Sequence, residues 1–332
     1  MLAWPGKDVD NGVVTAMRRA QLLLAAAVIV AVGWIVAASA AGATVTHPRN
    51  PAPAWFTSSF KHRVDAAGHT GVPVDGPSVL DVCPGVVLHQ NGVGTGTCLV
   101  YPYGCTANFV YYNGGGATAP AVSDGRHLYL GSAGHCSDKA GQPVYGAIST
   151  PGVGPSIARI GTVSKRVEKY GDDGSVLDVE SIQIDKGYHV YPDSPVGGPR
   201  GIYDGCQVGT PVKYWGHGYG VEMGQGKPEG GASAHWYNNG YGWFGPAFPG
   251  DSGSGVVTAN NQAAGDLDAI VELYVPPVYV PGEIIGTRMT SILSWLGGSY
   301  QLVNQDHTLS RDTTTACGNP SAGGSGRKPP KL

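Results

Sequence analysis

Short β-type runs punctuated by glycine and proline limit this chain more than any other feature. The 332 residues include 53 glycines and 25 prolines. They fall between runs rich in Val, Ile, Leu and Tyr at 108–112, 126–130, 182–184, 255–257, 269–275 and 284–289. Runs this short, bounded by turn-forming residues, have the length of strands and are too brief for globular helices. One stretch departs from the pattern: its apolar residues Met289, Ile292, Leu293 and Leu296 recur at helical spacing. The pattern therefore predicts an all-β fold with a short C-terminal helix. With 42% hydrophobic residues, the chain can bury one or two cores.

Charge narrows the function classes. The formal net charge is −3 and only 14% of residues are charged. No basic stripe is present to neutralise phosphates, so no nucleic-acid partner is expected. A different partner is written near the N-terminus. Arg18 and Arg19 precede an almost wholly apolar run over residues 20–43, which contains Ala38-Ser39-Ala40. A basic flank, an apolar run and small residues at a cleavage position form an export signal. The run is also long enough to anchor the chain in a membrane as a single span. Both readings place the remainder outside the cytoplasm. Residues 1–43 are thus read as signal peptide or anchor, 44–75 as linker or pro-segment, 76–300 as one domain and 301–332 as a flexible C-terminal tail.

Six cysteines are present: Cys83, Cys98, Cys105, Cys136, Cys206 and Cys317. None forms a C-x-x-C pair, which argues against a zinc ribbon or a thiol redox motif. An even number in an exported chain reads as disulfides. No metal or cofactor is expected.

Two local patterns carry chemistry. Gly250-Asp251-Ser252-Gly253-Ser254-Gly255 follows Pro249 and leads into Val256-Val257. A serine hydroxyl needs a base to become nucleophilic, and the oxyanion it generates needs converging N–H donors. Glycines on both sides of Ser252 allow the backbone that close approach. The same tetrapeptide is also ordinary turn chemistry; the buried strand that follows favours the functional reading. His135 lies in Leu130-Gly131-Ser132-Ala133-Gly134-His135-Cys136, where an apolar run ends in small residues beside a cysteine. A catalytic base needs such a rigid mount. None of the nine other histidines has this context, and they are read as surface or core residues.

These two motifs resemble those of the trypsin-like (chymotrypsin-fold) serine proteases, the bacterial secreted type in particular. Ser132-Ala133-Gly134-His135-Cys136 is similar to the segment around the family's catalytic histidine, and Pro249-Gly250-Asp251-Ser252-Gly253-Ser254 to its nucleophile loop. The order His, Asp, Ser is also the family's. A third likeness, Gly286-Thr287-Arg288-Met289 with Ser294-Trp295-Leu296, extends the resemblance over about residues 80–298.

The resemblance implies two packed six-stranded antiparallel β-barrels with a short C-terminal helix, and a monomeric, extracellular serine endopeptidase acting on protein or peptide substrates. It implies His135 as base, Ser252 as nucleophile, and the N–H groups of Gly250 and Ser252 as oxyanion hole. Asp178, in Leu177-Asp178-Val179-Glu180, matches the triad acid, although Glu180 stands where a small residue is usual. Asp172 and Asp173 are the alternatives and read as a solvated turn. Asp251 matches an aspartate that orders the nucleophile loop against a buried cation; without an activation-site motif, an internal cation or hydrogen bonds would replace it. The resemblance further implies a Cys105–Cys136 disulfide. The other four cysteines leave their pairing open, with Cys83–Cys98 and Cys206–Cys317 as one arrangement. Pro246 falls at the base of the specificity pocket and writes no clear preference. Glu272 falls near the pocket wall and reads as a solvated strand residue. Two further readings keep the fold and change the activity: a binding protein with little turnover, or an esterase using the same triad.

Overall fold

A computed structural model describes residues 44–46, 83, 88–101, 104–152, 154–170, 176–218, 228–236, 239–248, 250–275, 278–311 and 317. The apolar run 20–43 and the alternatives Asp172 and Asp173 lie outside the described residues. Among the described residues, no helix is long and apolar enough to cross a membrane.

The fold is mostly β, as the turn-punctuated pattern requires. Two large antiparallel sheets dominate. In the first, the order is Leu309–Ser310, Gln301–Val303, Val110–Tyr112, Leu128–Ser132, Val176–Ile184, Gly154–Tyr170, Pro143–Thr150, Cys98–Tyr101, Cys105–Thr106. In the second it is Thr44–Thr46, Ala269–Val275, Val278–Thr287, Gly240–Phe244, Pro228–Trp236, Pro211–Trp215, Gly255–Thr258, Ala263–Asp266. His189–Tyr191 and Gly92–Gly94 pair separately in parallel.

These nine- and eight-stranded orders differ from two six-stranded barrels, and neither ladder closes on itself. Part of the difference comes from strands of two or three residues at the sheet edges, too short for a sequence period to mark. Gln301–Val303 and Leu309–Ser310 are examples. They place residues 301–310, assigned above to the tail, on the first sheet, with Leu302 and Val303 fully buried.

Each sheet has its own core. Leu99, Val110, Leu128, Leu130, Ile160 and Ile182 fill the first. Val212, Tyr214, Tyr241, Trp243, Val256 and Ile284 fill the second. Trp236, Tyr241 and Trp243 stack in series, with ring centroids 4.9 and 5.1 Å apart. These aromatics pack the interior. The helix Met289–Leu296 has the predicted buried face, Met289, Ile292, Leu293 and Leu296. That face packs with Phe109, Tyr111 and Val179 from the side of the first sheet and Val257 of the second.

All six cysteines are paired: Cys83–Cys98, Cys105–Cys136 and Cys206–Cys317. Three disulfides are consistent with an oxidising, extracellular setting.

Candidate active site

The strand Leu128–Ser132 delivers the chain into a single 3₁₀ turn, Gly134–Cys136, which carries His135. Two constraints fix this turn. Gly134 lies so close to the strand Gly154–Tyr170 that a Cβ there would stand 1.9 Å from the carbonyl oxygen of Val167. Cys136 is bonded to Cys105 with an S–S distance of 2.07 Å. The neighbouring cysteine thus gives His135 a rigid mount.

The short strand Cys105–Thr106 also holds the Ser252 loop. Thr106 N–H donates to the carbonyl oxygen of Ser252 at 2.8 Å, and Thr106 Oγ1–H to that of Gly250 at 3.0 Å. Ser132 Oγ–H donates to Thr106 O at 3.0 Å. One two-residue strand therefore ties the His135 turn, by a disulfide, to the Ser252 loop, by backbone bonds. Gly253 sits against this junction at φ +85°, where an added Cβ would meet Ser132 Oγ at 2.2 Å and Thr106 O at 2.4 Å. Both the positive φ and the lack of room call for glycine. Beyond it, Gly253 N–H donates to Leu267 O at 2.6 Å and Leu267 N–H to Ser254 O at 3.0 Å.

Asp251 orders the loop through hydrogen bonds. Its Oδ1 accepts from Gly218 N–H at 2.7 Å; its Oδ2 accepts from Phe248 N–H at 2.9 Å and from the Tyr214 hydroxyl at 3.4 Å. Tyr214 O–H also donates to the carbonyl oxygen of Pro246 at 2.5 Å.

Asp178 meets His135 directly. The strand Val176–Ile184 lies between Leu128–Ser132 and Gly154–Tyr170. From it, Asp178 Oδ2 contacts His135 Nδ1 at 2.6 Å, and Oδ1 accepts from the His135 backbone N–H at 2.8 Å. The Tyr170 hydroxyl donates to the same Oδ2. Burial alone would raise the Asp178 carboxyl. The electrostatic pull of His135 and the donors around the carboxylate prevail and hold it below the usual aspartate value. An ionised Asp178 on Nδ1 keeps the imidazole proton there and leaves the Nε2 lone pair for proton transfer.

Behind Asp178 lies a polar network that sequence reasoning missed. Asp178 N–H donates to Thr287 Oγ1 at 3.0 Å, and Thr287 Oγ1–H to Asp268 Oδ2 at 2.7 Å. Asp266 Oδ1 accepts from Thr287 N–H at 3.1 Å, and its Oδ2 from Asn108 Nδ2 at 3.3 Å. Burial, and then the neighbouring carboxylates, push Asp266 and Asp268 far above the ordinary range, so both favour the neutral acid. Burial likewise raises Glu180 to about 8, against the pull of Arg166. The sequence did hold a signal: Asp266-Leu267-Asp268 interrupts an otherwise apolar stretch. Tyr170, Thr106 and Thr287 had none.

His135, Asp178 and Ser252 are each 0% exposed in this conformation. Cys105, His135 and Cys136 place potential metal-ligand atoms within 4.8 Å of one another. Both sulfurs are engaged in the disulfide and offer no thiolate. His217, one of the histidines read above as surface or core residues, is buried: its Nε2 contacts Gly96 O at 2.7 Å, and burial lowers it to about 4.

No family model and no curated protein matches the chain. Among solved structures, it is similar to the chymotrypsin of Cellulomonas bogoriensis, at 16% identity and a TM-score of 0.37. That match covers 63% of this chain and 96% of the other.

Proposed function

We propose that this chain is a serine endopeptidase of the trypsin-like kind, in which Ser252 is the nucleophile, His135 the base and Asp178 the acid. The carrying observation is the two-point contact between one carboxylate and one histidine, ring and backbone together. It sits on a turn disulfide-linked to the strand that holds the Ser252 loop. Motif order along the chain supports the same assignment.

In this reading His135 Nε2 takes the Ser252 hydroxyl proton as Oγ attacks a peptide carbonyl. The N–H groups of Gly250 and Ser252 hold the resulting oxyanion. Asp178, kept ionised, stabilises the imidazolium. His135 then gives its proton to the leaving amine, and water hydrolyses the acyl-enzyme by the reverse sequence. The hydrogen bonds to Asp251 order the loop. Extracellular action on protein or peptide substrates by a monomer completes the proposal. The isolated bridge between Gly265, on the edge strand Ala263–Asp266, and Arg288, directly after Val278–Thr287, curls that edge of the second sheet back onto its third strand from the other side, which supports a barrel-like wrap.

A second reading, a protease-like binding protein with little turnover, is favoured by one observation: the triad residues have no solvent-accessible surface. Peptide hydrolysis by the exported portion separates the two. The protease reading expects cleavage that disappears in Ser252→Ala. Absence of cleavage in the wild type, or cleavage that survives the substitution, overturns it.

A further inference from the structure

We propose that Tyr170 is a positioning residue of the triad, its hydroxyl sharing Oδ2 of Asp178 with the ring of His135. The inference rests on the protease reading and adds to it a residue that the motifs do not contain.

Tyr170 ends the long strand Gly154–Tyr170 and pairs across the ladder with Val176, two residues before Asp178. Its ring packs with Val176, Ala269 and Ile285. This places the aromatic body between the two sheets and the hydroxyl on the carboxylate. Three donors then converge on Asp178: His135 N–H on Oδ1, and His135 Nδ1–H with Tyr170 O–H on Oδ2. Burial first, then the charge of Asp178, raises the Tyr170 phenol far above its usual range. It therefore stays protonated and acts as donor only.

The chemistry of a shared acceptor sets the role. An oxygen that takes two hydrogen bonds gives less electron density to each. Tyr170 thus fixes the rotamer of Asp178 and moderates its pull on the His135 Nδ1 proton. The other charged or titratable groups near the pair are Arg166 and Glu168 on the strand of Tyr170, Glu180 on that of Asp178, and Asp266 and Asp268 from the second sheet. All of these survive a Tyr170→Phe substitution. So does the ring packing, so the variant isolates the hydroxyl.

Two measurements on full-length Tyr170→Phe test this. The first is the low-field proton NMR resonance of His135 Nδ1–H, read without substrate. It should move downfield, because Oδ2 now serves a single donor. The second is steady-state hydrolysis: kcat should fall about tenfold, the order expected for losing one hydrogen bond to a charged group, with KM unchanged. An unmoved resonance, or an unmoved kcat in an active enzyme, overturns the assignment. A fall matched by an equal rise in KM does the same. If the wild type hydrolyses nothing, the protease reading fails separately, and the resonance alone decides whether Tyr170 holds the dyad.

Discussion

Replacing Glu180 by glutamine should make stability less dependent on pH, by an amount the burial of Glu180 sets. Glu180 is 1% exposed on a central strand, cross-paired with Arg166 and Ser132. Burial raises its carboxyl from 4.5 to about 8. A folded-state value above the unfolded one means that the native chain holds the extra proton. The associated stability is therefore fully present below pH about 4.5 and is lost as pH rises through about 8. In that window each pH unit costs about 1.4 kcal/mol. Between pH 5 and pH 7 the wild type should lose about 2.5 kcal/mol relative to Glu180→Gln, which has the same shape and no titration. The assay is urea unfolding of both proteins, disulfides intact, at pH 5, 6 and 7. The two should be closest at pH 5, and the variant should gain steadily as pH rises, with equal m-values. Taking the difference between two proteins removes the contributions of Asp266 and Asp268, whose shifts do not draw on Glu180. A gap that is constant, or that narrows toward pH 7, would refute the reasoning that Glu180 is carried as a neutral acid.

Two other substitutions probe the frame of the site. Thr106→Val removes the hydroxyl that donates to Gly250 O and accepts from His217 N–H at 3.1 Å. It leaves both backbone groups buried and unpaired, so thermal or urea unfolding should show a loss of about 2–4 kcal/mol; a loss below the error of the measurement contradicts the hub role of this strand. Asp178→Asn keeps the shape but turns an acceptor toward a donor, favouring the wrong imidazole tautomer. Hydrolysis should fall about 10⁴-fold in kcat, and retention of most activity contradicts the assignment of the acid.

What could be read from the chain depended on how local the signal was. Ser252 and His135 announce themselves because each needs its immediate neighbours: Gly253 for a positive φ in a crowded junction, Cys136 for a covalent clamp. The helix Met289–Leu296 was legible for the same reason, since its buried face is a spacing within eight residues. Asp178 emerged only through resemblance, and its contact with His135 spans 43 positions. Tyr170, Thr106 and Thr287 were invisible. Their hydroxyls act on groups 8, 144 and 109 positions away, and threonine or tyrosine in a strand is unremarkable by itself. The sheets outgrew two six-stranded barrels where edge strands are too short to show alternation, as at Gln301–Val303. Glu180 looked like a departure from a pattern. Its burial raises the carboxyl to about 8, beside Asp178.

The central claim is that Ser252 is a nucleophile activated by His135, and its most direct measurement is covalent labelling. The protein would be treated with a fluorophosphonate, digested and analysed by mass spectrometry. The account expects one phosphonyl adduct, on the peptide containing Ser252, absent from Ser252→Ala and strongly slowed in His135→Ala. A wild-type chain that takes no adduct at Ser252, or takes it equally fast without His135, would contradict the account.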